Sequence, residues 1–254
     1  MIKAVVKRII PFHIRFYLRH KLFPSSVSQD TGLRKNFYAW FIKEGDWVFD
    51  VGANYGNRIK AFLQLNANVV AVEPQESCYK FLRLMFGKKI HLVTKGLGAK
   101  EETRKFFIAD SSTVSTFSEE YIKAVKDSGR FGDNNWSKTA EIKMTTLDNL
   151  ISQFGVPAFI KIDVEGFEKE VLSGLTQKIK ALSFEYCVPE QHEQALDCIR
   201  VLLASNPDMK YNYSTGESMK FELDDWLIAD EMIRLVRSEK FVTTGFGDIY
   251  GKNF

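Results

Sequence analysis

The sequence is poor in the residues that most often announce a chemistry. It has three cysteines, Cys78, Cys187 and Cys198, an odd number without paired spacing. Neither a disulfide framework nor a zinc site follows from them, and the expectation is reduced thiols in a cytoplasmic protein. Four histidines, His13, His20, His91 and His192, are scattered too widely for a metal motif, and no metal is expected; the one alternative is a divalent cation held by Asp163, Glu165 and an acceptor hydroxyl, for which the sequence offers no clear ligand set. No apolar run approaches the roughly 20 residues of a membrane span. The N-terminus lacks a small-residue cleavage site after an apolar core, so no signal peptide is expected. There is no internal repeat and no low-complexity stretch. No Gly-Lys-Ser/Thr follows a glycine-rich turn, which excludes a Walker loop.

What remains is ordinary in bulk: 254 residues, 45% apolar and 26% charged, enough for one sizeable α/β domain. The net charge of +3 is too mild to indicate nucleic acid. Its distribution is uneven. Residues 1–29 carry Lys3, Lys7, Arg8, Arg15, Arg19 and Lys21 and no acid, a local +6 that leaves the rest at −3. Ile2, Val5, Val6, Ile9 and Ile10 recur there at helical spacing, interrupted by Pro11. Residues 1–23 therefore read either as an amphipathic helix on an anionic membrane surface or as a basic helix packed on the main domain. The expected organisation is a basic helical segment over 1–35 and a catalytic domain over 36–254.

Strand-like and helix-like runs alternate, beginning with a helix over 32–42. Strands are expected near 47–51, 68–73, 90–94, 158–164 and 182–188, with helices over 58–65, 76–86, 146–154, 168–175 and 190–204. That pattern implies a mostly parallel sheet with helices on both faces. A strand pair over 104–108 and 140–144 is inserted, with a polar stretch over 111–137 between them. Strand-like runs over 210–214, 219–223 and 241–244, with a helix over 224–238, imply an antiparallel edge.

The chemistry concentrates at two strand ends. Trp47-Val48-Phe49-Asp50-Val51 runs into Gly52-Ala53-Asn54-Tyr55-Gly56-Asn57, a strand feeding a cofactor turn. Gly52 permits unusual backbone angles and close approach of a ligand. Glu73, 21 residues after Gly52, closes the second strand, where an acid can hold ribose hydroxyls. Asn54 stands where a dinucleotide turn has its second glycine, which weakens an NAD reading. Asp50 disfavours a phosphate and suits a cationic group, as in S-adenosylmethionine; alternatively it caps the next helix. Glu73, before Pro74, could also be a solvated strand end. The second end is Phe159-Ile160-Lys161-Ile162-Asp163-Val164-Glu165-Gly166. Lys161, Asp163 and Glu165 share one face while the strand persists, unusual in a parallel strand. A buried Lys161 requires a partner, Asp163 or Glu185. Asp163 or Glu165 is the candidate general base; Lys161 is a structural partner, or a base if its pKa were strongly lowered.

These segments, with Val72-Glu73-Pro74, Gly96-Leu97-Gly98, Ser115-Thr116-Phe117 and Thr146-Leu147-Asp148, resemble the FkbM family of S-adenosylmethionine-dependent methyltransferases over about residues 45–190. Phe246-Gly247-Asp248-Ile249-Tyr250 is a softer match. The resemblance implies a class I methyltransferase, Rossmann-like fold and O-methylation of a sugar, glycan or secondary-metabolite hydroxyl. It implies cofactor contacts from Asp50, Gly52, Ala53, Asn54, Tyr55, Gly56, Asn57, Glu73, Pro74, Gly96, Leu97 and Asp163, with Lys161, Asp163 and Glu165 toward the reaction. The 111–137 stretch, bearing Phe117, Tyr121, Phe131 and Trp136, is the expected acceptor-side lid. The alternatives are an NAD-type oxidoreductase and a non-catalytic membrane-surface module. The first lacks a Tyr-x-x-x-Lys, since Tyr121-Ile122-Lys123 misses that spacing. A nucleic-acid methyltransferase is not expected, as no Asn-Pro-Pro-Tyr-like segment occurs.

Overall fold

A computed structural model describes residues 25–254. The basic segment over 1–23, with its two readings, lies outside the described residues. Among the described residues, no helix is long and apolar enough to cross a membrane.

The centre is a seven-stranded sheet. Its strands are β1 (Trp47–Val51), β2 (Asn68–Val72), β3 (Ile90–Val93), β7 (Phe159–Ile162), β8 (Ala181–Cys187), β9 (Lys210–Thr215) and β10 (Phe246–Lys252), in the order β3-β2-β1-β7-β8-β10-β9. β1 is parallel to β2 and β7, β2 to β3, and β7 to β8; β10 runs antiparallel to both β8 and β9. This is the α/β class I methyltransferase architecture with an antiparallel edge. The order reverses beside β1, so a crevice opens beyond the carboxyl ends of β1 and β7.

Each central strand is apolar on both sides because helices cover both faces. Phe49, Val51, Ile160, Ile162, Leu182 and Phe184 fill one core. Val48, Phe159, Ala181 and Tyr250 fill the other, with Phe37, Tyr38 and Phe41 from α1 (Ser25–Tyr38) and the turn after it. The second face also carries Asp50 and Lys161, which are register partners on neighbouring strands. α2 (Ile59–Gln64) follows β1, and α3 (Glu76–Phe86) follows β2, burying Cys78, Phe81, Leu82 and Phe86 at helical spacing.

The inserted pair forms as the sequence predicts. β5 (Thr103–Ile108) and β6 (Lys138–Thr145) are antiparallel, and β4 (Gly96–Leu97) joins β6 to make a second, three-stranded sheet. Between β5 and β6 lies α4 (Glu119–Ser128), whose first turn is capped by the Ser118 hydroxyl accepting from the Tyr121 N–H. α5 (Leu147–Phe154) is capped in the same way by Thr146. α6 (Glu168–Leu172) and α7 (His192–Ser205) flank β8.

Differences concentrate at the two ends. The first helix is Ser25–Tyr38, earlier than 32–42, and it continues across the boundary expected at residue 35. Residues 219–223 form no strand. The Asn212 side chain donates to the Leu223 carbonyl and accepts from its N–H, and Phe221 is drawn into the rings of Phe37 and Tyr250. The helix expected over 224–238 is shorter, α8 (Ala229–Val236). Residues 241–244 are not a strand: Phe241 lies in α9 (Glu239–Val242), started by the Ser238 hydroxyl. Gly245, at φ +83°, then releases the chain into β10.

Gly52 has φ +80°, and a Cβ on it would lie 1.8 Å from the Asp163 carbonyl oxygen. The space is filled by the neighbouring strand end, a different use from the ligand approach expected of it. Gly52→Ala is therefore expected to destabilise the fold by about 2 kcal/mol or more through overpacking and backbone strain, read as a lower urea midpoint. An unchanged midpoint would contradict this close approach.

Candidate functional site

The turn after β1 is fastened to the exit of β2. The Gly52 and Ala53 N–H groups donate to the Val72 carbonyl at 3.0 and 3.1 Å. The Glu73 carboxylate accepts from the N–H of Asn54 and of Gln75, each at 2.7 Å. Glu73 is buried, so it is not a solvated strand end. Burial pushes its carboxyl up to about 7, against the pull of those two N–H groups.

Asp50 is buried and one carboxylate oxygen, Oδ2, has no partner. Burial raises it to about 7, opposed by the charges of Arg58 and Lys161. The helix-cap alternative is not realised, because α2 begins at Arg58 without a side-chain cap. A buried carboxylate oxygen without a partner on a residue that lines a crevice is suited to a cationic or hydrogen-bond-donating ligand.

That crevice is a cavity of about 260 Å³. Asp50, Gly52, Ala53, Asn54, Tyr55 and Asn57 line one wall, with Glu73 and Pro74 beside them. Gly96 and Leu97 line the cavity as well, as do Asp163 and Glu165. Two of the residues named from the sequence do not reach it. Gly56 serves packing: at φ +76°, a Cβ there would strike the Phe86 ring at 2.6 Å. Lys161 is 1% exposed and does not line the cavity. Its ammonium donates to Asp248 at 2.8 Å, to Asp163 at 3.2 Å and to the Ile162 carbonyl at 3.3 Å. Burial works to lower its pKa, but Asp163 and Asp248 outweigh that and hold it well above the ordinary value. A proton-accepting role for Lys161 is therefore corrected to an ion-pairing one. Asp248 was absent from the expected partners because it arrives from the distant β10.

Beyond Ile162 the strand ends, and Glu165 (φ +56°) and Gly166 (φ +82°) turn left-handed. Glu165 nevertheless swings back beside Asp163. With Glu185 of β8 they form a set whose oxygens lie within 4.8 Å of one another, a grouping that could hold a divalent cation. The sequence reading lacked this set, having used Glu185 only as a possible partner for Lys161. The three carboxyls are electrostatically unlike. Burial raises Asp163, yet Lys161 and Arg58 overcome it and keep it below the usual range. Burial, then the charge of Asp163, pushes both Glu165 and Glu185 well up. The Tyr121 hydroxyl donates to Glu165.

The 111–137 stretch adjoins this set. Ser112, Thr113, Ser115 and Phe117 line the cavity, and the Trp136 indole donates to the Val114 carbonyl at 2.7 Å. Arg130 bonds Glu190 and the carbonyls of Val188 and Gly245, tying the stretch to the C-terminal half. Tyr121 was expected only as an aromatic of the lid and not as a partner of Glu165, and Arg58 and Glu217 were not expected at the site. They lie outside the two strand-end motifs, and only folding brings them in.

The family model described as the methyltransferase FkbM domain matches residues 50–226. No curated protein matches the sequence significantly. Among solved structures, a TehB-like SAM-dependent methyltransferase from Corynebacterium glutamicum ATCC 13032 is similar at 9% identity, over 96% of this chain and 100% of that one, with a TM-score of 0.49. Precorrin-6y C5,15-methyltransferase from Geobacter metallireducens GS-15 is similar at 10% identity over 88% and 87%, TM-score 0.45. The plantazolicin methyltransferase BpumL, solved in complex with SAH, is similar at 12% identity over 95% and 89%, TM-score 0.41.

The raised carboxyls give stability a definite pH slope. Glu73 and Asp50 titrate at about 7 when folded and near 4 when unfolded. Between those values the folded state holds protons the unfolded state has released, so stability falls as pH rises. Asp163 and Glu217, held low, lose their contribution only at more acidic pH. The urea midpoint is expected to drop between about pH 5.5 and pH 8, and Glu73→Gln is expected to flatten that drop. An identical slope in the variant would show that Glu73 titrates normally in the fold.

Proposed function

The chain belongs to the FkbM methyltransferase family, and from that premise we propose that it methylates a hydroxyl group of a sugar, glycan or secondary metabolite. S-adenosylmethionine is the cofactor. The orphaned Asp50 carboxylate, the buried Glu73 and the cavity between them fit a nucleoside that bears a cationic amino-acid end. The family assignment favours methyl transfer over the hydride-transfer alternative.

The observation that carries the oxygen acceptor is the trio Asp163, Glu165 and Glu185, which line the cavity. A sugar hydroxyl is a poor nucleophile and must lose its proton as its oxygen attacks. Among the described residues, no histidine lines the cavity. The carboxyls of Glu165 and Glu185, raised by burial and by Asp163, are stronger bases than an ordinary carboxylate when ionised. Tyr121 orients Glu165 through its hydroxyl, and Asp163, fixed by Lys161, keeps a permanent negative charge beside them.

Bound S-adenosylmethionine supplies an already activated methyl group, so the protein's part is alignment and exclusion of water. Glu73 holds the ribose hydroxyls while its backbone donors keep it in place. Asp50 receives the amino-acid end. Glu165 or Glu185 takes the acceptor proton. The 111–137 stretch forms the acceptor side, with Phe117 offering an aromatic wall for a sugar ring.

The deciding experiment is calorimetric titration with S-adenosylhomocysteine. Wild type is expected to bind, and Glu73→Ala to lose roughly 1.5–3 kcal/mol, the value of a charged hydrogen-bond partner. No binding by folded wild type would reject the cofactor assignment. Glu165→Gln and Glu185→Gln are expected to keep that affinity while lowering kcat for the acceptor by about 10²-fold or more. Methyl transfer is expected to survive EDTA; its loss would reassign the trio from proton acceptance to cation binding.

A further inference from the structure

The corner of the cavity beside Asp50 contains a second orphan of opposite kind. Arg58, at the start of α2, lines the cavity, and its Nε is buried without a partner. Its guanidinium makes one hydrogen bond among the described residues, from Nη2 to Glu217 at 2.7 Å. Glu217, in the turn after β9, also lines the cavity and receives Arg34 of α1 at 3.4 Å. The Nε of Arg34 is likewise buried and unpartnered.

A buried donor without an acceptor and a buried acceptor without a donor are both costly, and native sites carry few of them. Here the two residues that carry them, Arg58 and Asp50, line one cavity together. Their complement is a zwitterion, with an ammonium for Asp50 and a carboxylate for Arg58. The methionine end of the cofactor is such a group. Resting on the methyltransferase reading, we propose that Arg58 is the binding residue for the cofactor's α-carboxylate and that Glu217 is its positioning residue, holding the guanidinium from the side opposite the ligand.

The assignment gives the C-terminal part of the chain a role at the cofactor pocket. A guanidinium presents donors in a planar fork, so fixing one edge aims the rest. Glu217 fixes that edge, and Arg34 shares its charge so that it does not repel the incoming carboxylate as strongly as a lone acid would. A purely structural Arg58, there to balance Glu217, has no use for an unpartnered Nε on a side chain that lines the cavity.

The test compares S-adenosylhomocysteine with 5′-methylthioadenosine, which keeps adenine, ribose and sulfur but lacks the amino-acid end. Wild type is expected to bind the first more tightly. Arg58→Ala is expected to lower S-adenosylhomocysteine affinity by about 10- to 100-fold and leave methylthioadenosine within about twofold, as loss of a charge-assisted contact to the missing carboxylate requires. Arg58→Lys, which keeps the charge without the fork, is expected to fall between. Glu217→Gln, milder for the fold, is expected to reduce the same preference by a smaller factor. A folded Arg58→Ala protein with the wild-type preference, or with both affinities reduced equally, would overturn the proposal. Failure of folded wild type to bind either nucleoside would instead remove the cofactor reading, and this assignment with it.

Discussion

The arrangement depends on one buried cation. Lys161 sits in the middle of the sheet, 1% exposed, between Asp163 and Asp248. An ammonium there is tolerated only because two carboxylates and a carbonyl surround it. One of its partners ends β7, where the cavity begins. The other comes from the antiparallel β10, near the C-terminus. Removing Lys161 would leave both carboxylates without their shared cation, so the parallel half and the antiparallel edge are electrostatically one unit. The Tyr250 hydroxyl adds a bond to Asp248 at 3.2 Å, extending the unit toward the aromatic layer under α1.

The same cation sorts the acids of the site. Six carboxyl-bearing side chains line the cavity, and burial tends to neutralise each of them. Asp163 escapes because Lys161 lies against it, and Glu217 because Arg58 and Arg34 do. Asp50 and Glu73 settle at about 7, while Glu165 and Glu185 go further. Residues of one chemical type are thereby given different protonation states by their neighbours. A group held charged thus stands beside groups held protonated within one cavity.

What could be read from the sequence follows from how local each signal is. The β1 turn and Glu73 were legible because strand, glycine spacing and acid lie within a short stretch whose backbone geometry fixes their relation. The alternation Lys161, Asp163, Glu165 indicated a charged face, though the strand stops at Ile162 and Glu165 returns to the cavity only through a left-handed turn. The sequence could not show that Asp248 neutralises Lys161, since 87 residues separate them. Arg58 read as the first residue of a helix, and Glu217 fell between two strand-like runs without an assignment. Their pairing requires β9 to be placed beyond β10, a matter of topology. The misread stretch over 219–223 has strand-like composition, but Asn212 satisfies its backbone by side-chain bonds and Phe221 is claimed by rings from α1. Packing there outweighs local preference.

The two ends of the cavity are also locked to each other. Gly52 belongs to the cofactor turn, and Asp163 to the acceptor end, yet the Asp163 carbonyl occupies the place of the missing Gly52 Cβ. The Asp163 N–H in turn donates to the Val51 carbonyl at 2.9 Å. Donor and acceptor segments are therefore held by adjacent backbone on neighbouring strands, and no flexible loop intervenes between them. A reaction that needs two molecules brought into line gains most from such rigidity, because misplacement of either by an ångström costs rate steeply. The acceptor-side cover is secured differently. Arg130 grips Glu190 and two carbonyls of the C-terminal half, while Trp136 and Tyr121 hold its interior to Val114 and Glu165. The β1 turn is thus built into the sheet, whereas the 111–137 stretch is attached by these side chains together with a short backbone bridge between Phe107 and Thr116. Side-chain attachments change with single substitutions, so the 111–137 stretch is the part of this architecture whose placement such substitutions alter most directly, while Ser112 also ties it to Asn54 of the β1 turn.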